Sequence, residues 1–302
     1  MTRTGQPVWR SLQYVPTHVE KFVASAHTRG ADALILDLED SVPWDEKARA
    51  RGFVASAART VGQAGADVVV RINAEPDAAL EDISASVTPD VVALSLPKVE
   101  SADQVRRLDD AVGEAERRAG VDVGTTRFIL IVESAAGFLN MRAIAVASPR
   151  VVAISLGAED FALDVGMEAN DETLLMPKQQ LVIVAAAARV MPLGLVGGAT
   201  RFDEPEAYLA LAERSRRFGY VGATCIHPRQ VPLLNAAFVP DEAEVAHARR
   251  VVAGAAAAAV EARGAFSIDG RMVDAPVVAR AQALLARHAA ISARAEDLRC
   301  KT

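Results

Sequence analysis

Cysteine is almost missing from this sequence: 302 residues hold two, Cys225 and Cys300. They lie far apart and outside any CxxC spacing, which excludes a disulfide framework and a cysteine-based zinc site. Histidine is scarce too, and His18, His27, His247 and His288 fall in helical segments without a spacing partner, so no zinc-binding histidine pair forms. Positive charge is in deficit, 33 Lys+Arg against 39 Asp+Glu for a net −6, which argues against a nucleic-acid partner. Long apolar runs are absent: the most apolar stretch, residues 181–198, is broken by Arg189 and Pro192, so no membrane span is expected. The segment 1–7 lacks the apolar region of a signal peptide, and the expectation is a cytoplasmic protein. There is no GxGxxG, no P-loop and no GxSxG, so hydride transfer, kinase chemistry and serine hydrolysis lose support.

What the sequence has in quantity is apolar residues, 51% of the chain, enough for one large core. They fall into eight short runs: 12–15, 33–38, 67–72, 91–96, 128–132, 151–156, 193–196 and 223–226. Several, such as LILDL, VVVRI and VAISL, are too continuously apolar for a half-exposed strand and match parallel strands buried on both faces. Helices are expected between them over 17–29, 45–64, 101–119, 138–148, 174–190 and 205–217, with caps at Ser101 and Asp45 and a first-turn Pro205. The runs recur about every 30 residues, the length of a βα unit. Eight such units give either a doubly wound sheet or an α/β (β/α)₈ TIM barrel, and the count favours the barrel. After Pro228 the chain reads as helical over 231–238, 241–262 and 276–292, with a turn-containing loop at 264–276 and no further strand. The expected domains are a catalytic barrel over 1–230 and a helical C-terminal extension over 231–302.

In a parallel barrel the chemistry collects at the carboxyl ends of the strands. Those ends carry Asp37, Glu39 and Asp40; Arg71 and Asn73; Lys98 and Glu100; Glu133; and Glu159 and Asp160. Any one of these is ordinarily a solvated charge or a helix cap. Together they ring one mouth. Carboxylates from adjacent strands, Glu133 and Asp160, match what Mg²⁺ requires, oxygen ligands with water-filled positions left for substrate, and an arginine supplies a planar fork for a substrate carboxylate. His227, in Ile226-His227-Pro228, is either a base or a structural hydrogen-bonding group.

The motifs Arg10-Ser11, Tyr14-Val15-Pro16, Leu36-Asp37-Leu38-Glu39-Asp40 with Lys47, Val70-Arg71-Ile72-Asn73, Leu96-Pro97-Lys98-Val99-Glu100, Val132-Glu133-Ser134, Gly157-Ala158-Glu159-Asp160 and Ile226-His227-Pro228 resemble, in order, the citrate lyase β-subunit family of CoA-ester lyases. This group belongs to the HpcH/HpaI aldolase superfamily and includes malyl-CoA and citramalyl-CoA lyases. The resemblance implies a TIM barrel in a homotrimer or hexamer and Mg²⁺-dependent retro-Claisen cleavage, or the reverse condensation, of a 3-hydroxyacyl-CoA into an acyl-CoA and a 2-oxo acid. By the same resemblance Glu133 and Asp160 are the metal ligands and contact substrate, Arg71 is the substrate arginine, and Arg10 is a second arginine near the thioester and carboxylate of the substrate. Asp40 is an acidic residue near the metal, and Asp274 is an acid or base delivered across a subunit boundary. The alternatives are a CoA thioesterase on the same scaffold, with Asp274 placing water, and a non-catalytic subunit of a larger lyase complex.

Overall fold

A computed structural model describes residues 6–197, 204–260 and 265–301. Its main sheet has eight strands: β1 (Ser11–Pro16), β2 (Ala33–Asp37), β3 (Asp67–Arg71), β4 (Ala93–Leu96), β5 (Arg127–Val132), β6 (Val151–Leu156), β7 (Met191–Pro192) and β8 (Ala223–Cys225). All neighbours pair in parallel in the order β7-β6-β5-β4-β3-β2-β1-β8. A single bridge, Leu193 to Gly222, joins the two outer strands and closes the sheet into the (β/α)₈ barrel. The expected runs supply seven of the eight strands. β7 is the exception in position, since it forms two residues earlier and is only two residues long.

The helices between the strands are α1 (Glu20–Ala26), α2 (Lys47–Gly62), α3 (Pro76–Ser86), α4 (Ala102–Ala119), α5 (Ala135–Leu139), α6 (Met141–Ala145), α7 (Ala158–Val165), α8 (Asp171–Ala188) and α9 (Pro205–Arg217), followed by α10 (Gln230–Ala237). The Ser101 hydroxyl accepts from the N–H of Gln104 at 3.2 Å, a cap that contributes about 1 kcal/mol, and Gly120 ends α4 in a left-handed conformation. Asp45 does not cap α2. It lies in a 3₁₀ turn that precedes the helix. α3 and α7 were not expected, because each is short and α3 carries few apolar residues. The helix expected over 138–148 is broken at Asn140 into α5 and α6.

Two compact units result, one of Trp9–Phe238 and a smaller one holding Val239–Thr302. α10 packs on α9 and β1, so it belongs to the barrel and the boundary falls later than residue 230. In the barrel unit, alternation along each strand builds two cores. Leu12, Ala33, Ile35, Val69, Ala93, Ile129, Ala153 and Leu193 fill the barrel interior. Leu34, Leu36, Val68, Val70, Leu94, Phe128 and Leu130 face the surrounding helices. Burying each of these large side chains contributes about 1.5–3 kcal/mol.

The second unit contains α11 (Glu242–Val260), a hairpin of β9 (Phe266–Ile268) and β10 (Arg271–Val273), and α12 (Ala275–Lys301). The expected helix over 241–262 is confirmed as far as residue 260; residues 261 and 262 lie outside the described ones. The hairpin corrects the expectation that no strand follows Pro228. Asp269 and Gly270, at φ 50° and 75°, form a two-residue turn in the mirror-image geometry that an Asp-Gly pair favours. Val273 with Ala248, Val251 and Ala281 makes a small core to which Phe266 and Ile268 pack.

Candidate functional site

The parity that fills the barrel interior also places the charges. If Ile35 points inward, so does Asp37; Val69 inward implies Arg71, Leu12 implies Tyr14, and Ile129 implies Ile131 and then Glu133. The register sets Asp37 beside Arg71 across β2 and β3. The Nε and Nη2 of Arg71 donate to the two oxygens of Asp37, both at 2.7 Å, in a fork-to-fork pair. Its Nη1 donates to Asp40 at 3.0 Å, and its guanidinium lies 4.8 Å from the centre of the Tyr14 ring. Burial works to raise the Asp37 pKa, yet the hydrogen bonds from Arg71 outweigh it and hold the carboxyl below its ordinary value.

Glu39 and Glu133 are not compensated in this way. Glu39 is 5% exposed, and although its Oε2 lies 3.0 Å from Nη1 of Arg71, it has no aligned hydrogen-bond partner. Burial raises its pKa. Lys98, at φ 50°, holds both carboxylates: its N–H donates to Oε2 of Glu133 at 2.7 Å and its Nζ to Oε1 of Glu39 at 3.0 Å. A lysine in that left-handed conformation carries strain of about 1 kcal/mol. Desolvation, reinforced by repulsion from Glu39 and Asp160, pushes the Glu133 carboxyl up to about 7 against the opposing Lys98 hydrogen bond. A Cβ on Gly157 would lie 2.5 Å from both Cγ and Oε1 of Glu133, so only glycine leaves the carboxylate its place beside α7.

Tyr14, Asp40, Arg71, Glu133 and Asp160 line a cavity of about 310 Å³. Among the described residues, no three His, Cys, Asp or Glu side chains converge as a closed metal cage. Two hard carboxylates, one of them short of positive charge, fit a divalent cation of the Mg²⁺ type, which keeps several water ligands rather than demanding a full protein shell.

The structure thus brings Asp40, Arg71, Glu133 and Asp160 to one cavity. It does not bring Arg10 there. Arg10 precedes β1 and is locked at the opposite end of the barrel, its Nε and Nη2 donating to Asp32 at 2.8 and 2.7 Å, because the residue before β1 lies beside the one before β2. The substrate role expected for it is corrected accordingly. Asp274 lies in the second unit at the start of α12, where its carboxylate accepts from the N–H of Val277 at 3.4 Å. Nδ1 of His227 accepts from the N–H of Arg229, so this histidine caps a turn. Asp37 and Lys98 take their roles from the tertiary structure. Their strand-end positions were visible; their pairing was not.

A family model described as HpcH/HpaI aldolase/citrate lyase matches residues 10–228. The citrate lyase subunit beta of Leuconostoc mesenteroides subsp. cremoris is 34% identical over 91% of this chain and 92% of its own. An L-malyl-CoA/beta-methylmalyl-CoA lyase of Cereibacter sphaeroides is 35% identical over 92% of each chain. Among solved structures, CitE of Mycobacterium tuberculosis in complex with magnesium, acetoacetate and coenzyme A superposes with a TM-score of 0.72 at 29% identity, covering 92% of this chain and 97% of that one. With barrel, strand-end carboxylates and full-length relatives in agreement, the chain belongs to the HpcH/HpaI aldolase/citrate lyase family and is a CoA-ester lyase.

Proposed function

We propose that this lyase cleaves, and in reverse forms, the carbon–carbon bond of a 3-hydroxyacyl-CoA of the malyl, citramalyl or citryl type, releasing a 2-oxo acid and an acyl-CoA. It works with Mg²⁺, as a cytoplasmic homotrimer or hexamer. The observation that carries the reading is the Glu133 carboxyl, 6% exposed and raised to about 7 beside Glu39 and Asp160. Such a group is costly to the fold unless a cation or substrate completes it.

Glu133 and Asp160 would hold the metal, which when bound lowers the pKa of a substrate hydroxyl and offsets developing oxyanion charge. Arg71 is kept rigid by Asp37, so only its Nη1 side is free to serve the cavity. Asp40, whose side chain is 55% exposed, occupies Nη1 until a substrate carboxylate replaces it. In cleavage the hydroxyl proton passes to a carboxylate of the cavity, Asp40 once substrate has displaced it from Arg71, the hydroxyl oxygen becomes the carbonyl of the 2-oxo acid, and the electrons of the broken carbon–carbon bond pass into the enolate of the acyl-CoA. Asp274, supplied by a neighbouring protomer, returns a proton to that carbon. Of the apolar residues around it, Val273 is buried in the core of its own unit while Met272 is 74% exposed.

The test is a panel of malyl-, citramalyl-, methylmalyl- and citryl-CoA with Mg²⁺, read by mass spectrometry. Acetyl- or propionyl-CoA with a 2-oxo acid is expected. Free CoA with the intact hydroxy acid would replace the lyase by a thioesterase, and an inert purified chain would overturn both.

A further inference from the structure

The cavity does not end at the carboxylates. The barrel seam between β7 and β8 is held by the Leu193–Gly222 bridge and by the N–H of Gly194 donating to Gly222 O at 2.9 Å. The cavity is lined on one side by Leu193 and Ile131, which face the barrel interior, and on the other by Tyr208, Tyr220, Cys225 and Lys178, which lie behind the strands. A single cavity therefore reaches from Arg71 and Glu133 at the mouth to Tyr208 and Lys178 at its other end.

Among the described residues, two donors at that end of the cavity have hydrogen-bonding capacity to spare. Tyr208 is 3% exposed, and its hydroxyl has no hydrogen-bond partner among the described residues. Lys178 is 5% exposed and spends one N–H on Gly197 O at 2.6 Å. Asp171 and Glu159 pull on its charge without forming an ion pair. Its main-chain oxygen is fixed by the Tyr220 hydroxyl at 2.9 Å, so the helix that carries it is tied to the seam. A buried ammonium with N–H groups to spare and a buried hydroxyl with no partner are costly, and both residues line the cavity.

We propose that Lys178 and Tyr208 form a specificity site for a second carboxylate on the substrate, so that the 2-oxo acid half is dicarboxylic. The substrate carboxylate at Arg71 and the one at Lys178 would sit at the two ends of a single cavity, with the reacting carbons between them. Burial lowers the Lys178 amine to about 8, which leaves it mainly protonated at neutral pH and able to meet an anion. This inference rests on the lyase reading and narrows its substrate class.

The experiment measures binding of length-matched 2-oxo acids to the full chain with Mg²⁺ by titration calorimetry: oxaloacetate against 2-oxobutanoate, and 2-oxoglutarate against 2-oxopentanoate. In at least one pair the diacid should bind about tenfold or more tighter. Lys178→Met should weaken that diacid by about 10- to 100-fold, the worth of a hydrogen bond to a charged group, and leave the monoacid within about twofold. Tyr208→Phe keeps the ring and its packing, and should cost the diacid about three- to tenfold. Equal binding within both pairs, or losses in the variants that fall equally on diacid and monoacid, would overturn the site. Turnover of hydroxyacyl-CoAs without a diacid preference removes this site and leaves the lyase. A Lys178-dependent diacid preference without any turnover removes the lyase and leaves the site.

Discussion

The two ends of the barrel use the same residue types to opposite effect. Among the described residues, the buried charges at the amino end of the strands are matched. Arg10 grips Asp32, and Arg150 donates through Nη1 and Nη2 to Glu116 at 2.7 Å each while also pairing with Asp109. Glu116 accepts two further bonds from the N–H groups of Gly124 and Thr126. Burial alone would raise its pKa, but Arg150 and those N–H groups hold the carboxyl at about 2. At the carboxyl end, Glu133 stands at about 7 and one oxygen of Glu39 has no hydrogen-bond partner. A closed ledger of donors and acceptors marks structure. A surplus of buried negative charge marks a place where something positive binds.

The largest expected effect breaks the mouth. Glu133→Gln and Asp160→Asn should each lower Mg²⁺-dependent turnover by about 10³-fold or more, while thermal melts show Glu133→Gln no less stable than the parent. Turnover within tenfold of the parent in both variants would remove them as metal ligands. The matching change at the other end should do the reverse. Arg150→Met strands Glu116 without its cation and should cost about 3–5 kcal/mol in denaturant unfolding, with activity per folded molecule unchanged.

One conservative exchange made at both ends sharpens the contrast. Arg71→Lys keeps charge but loses the fork, so kcat/KM should fall about 10- to 100-fold with both kcat and KM affected. Arg10→Lys should leave kcat/KM within about twofold and cost about 1 kcal/mol of stability.

The smallest effect is in pH. Glu133 has a folded-state pKa of about 7 against an ordinary 4.5, so between these values the fold holds a proton that the unfolded chain has released. The metal-free protein is therefore favoured below about 4.5 and loses that contribution as pH rises through 7, by ~1–2 kcal/mol after relaxation around the charge. Relative to the parent, metal-free Glu133→Gln should gain this much stability across that window. A difference between parent and variant that does not change with pH would mean that Glu133 is not raised.

How much of this was legible in the sequence depended on how far apart the deciding residues lie. The runs at 33–38, 67–72 and 151–156 identified their strands because continuous burial on both faces is written in adjacent residues. α3 and the β9–β10 hairpin were missed because their signals are brief: a first-turn proline at Pro76 and an Asp-Gly pair at 269–270. Strand-end position alone nominated Glu133, Asp160, Arg71 and Asp40. Resemblance alone brought Arg10 to that mouth, whereas a residue just before a strand belongs to the other end of the barrel.

By itself, then, the sequence determined the eight βα units and the collection of acidic and basic side chains at their carboxyl ends, because hydrophobic periodicity and strand direction are properties of short segments. Only the tertiary structure decided which charges are quenched and which are left over. Asp37 with Arg71, and Lys98 with Glu39 and Glu133, are separated by 34, 59 and 35 positions, and their pairing depends on the register of neighbouring strands. The end of the cavity at Lys178 and Tyr208 is likewise tertiary, since no local pattern marks where the two outer strands of a barrel meet.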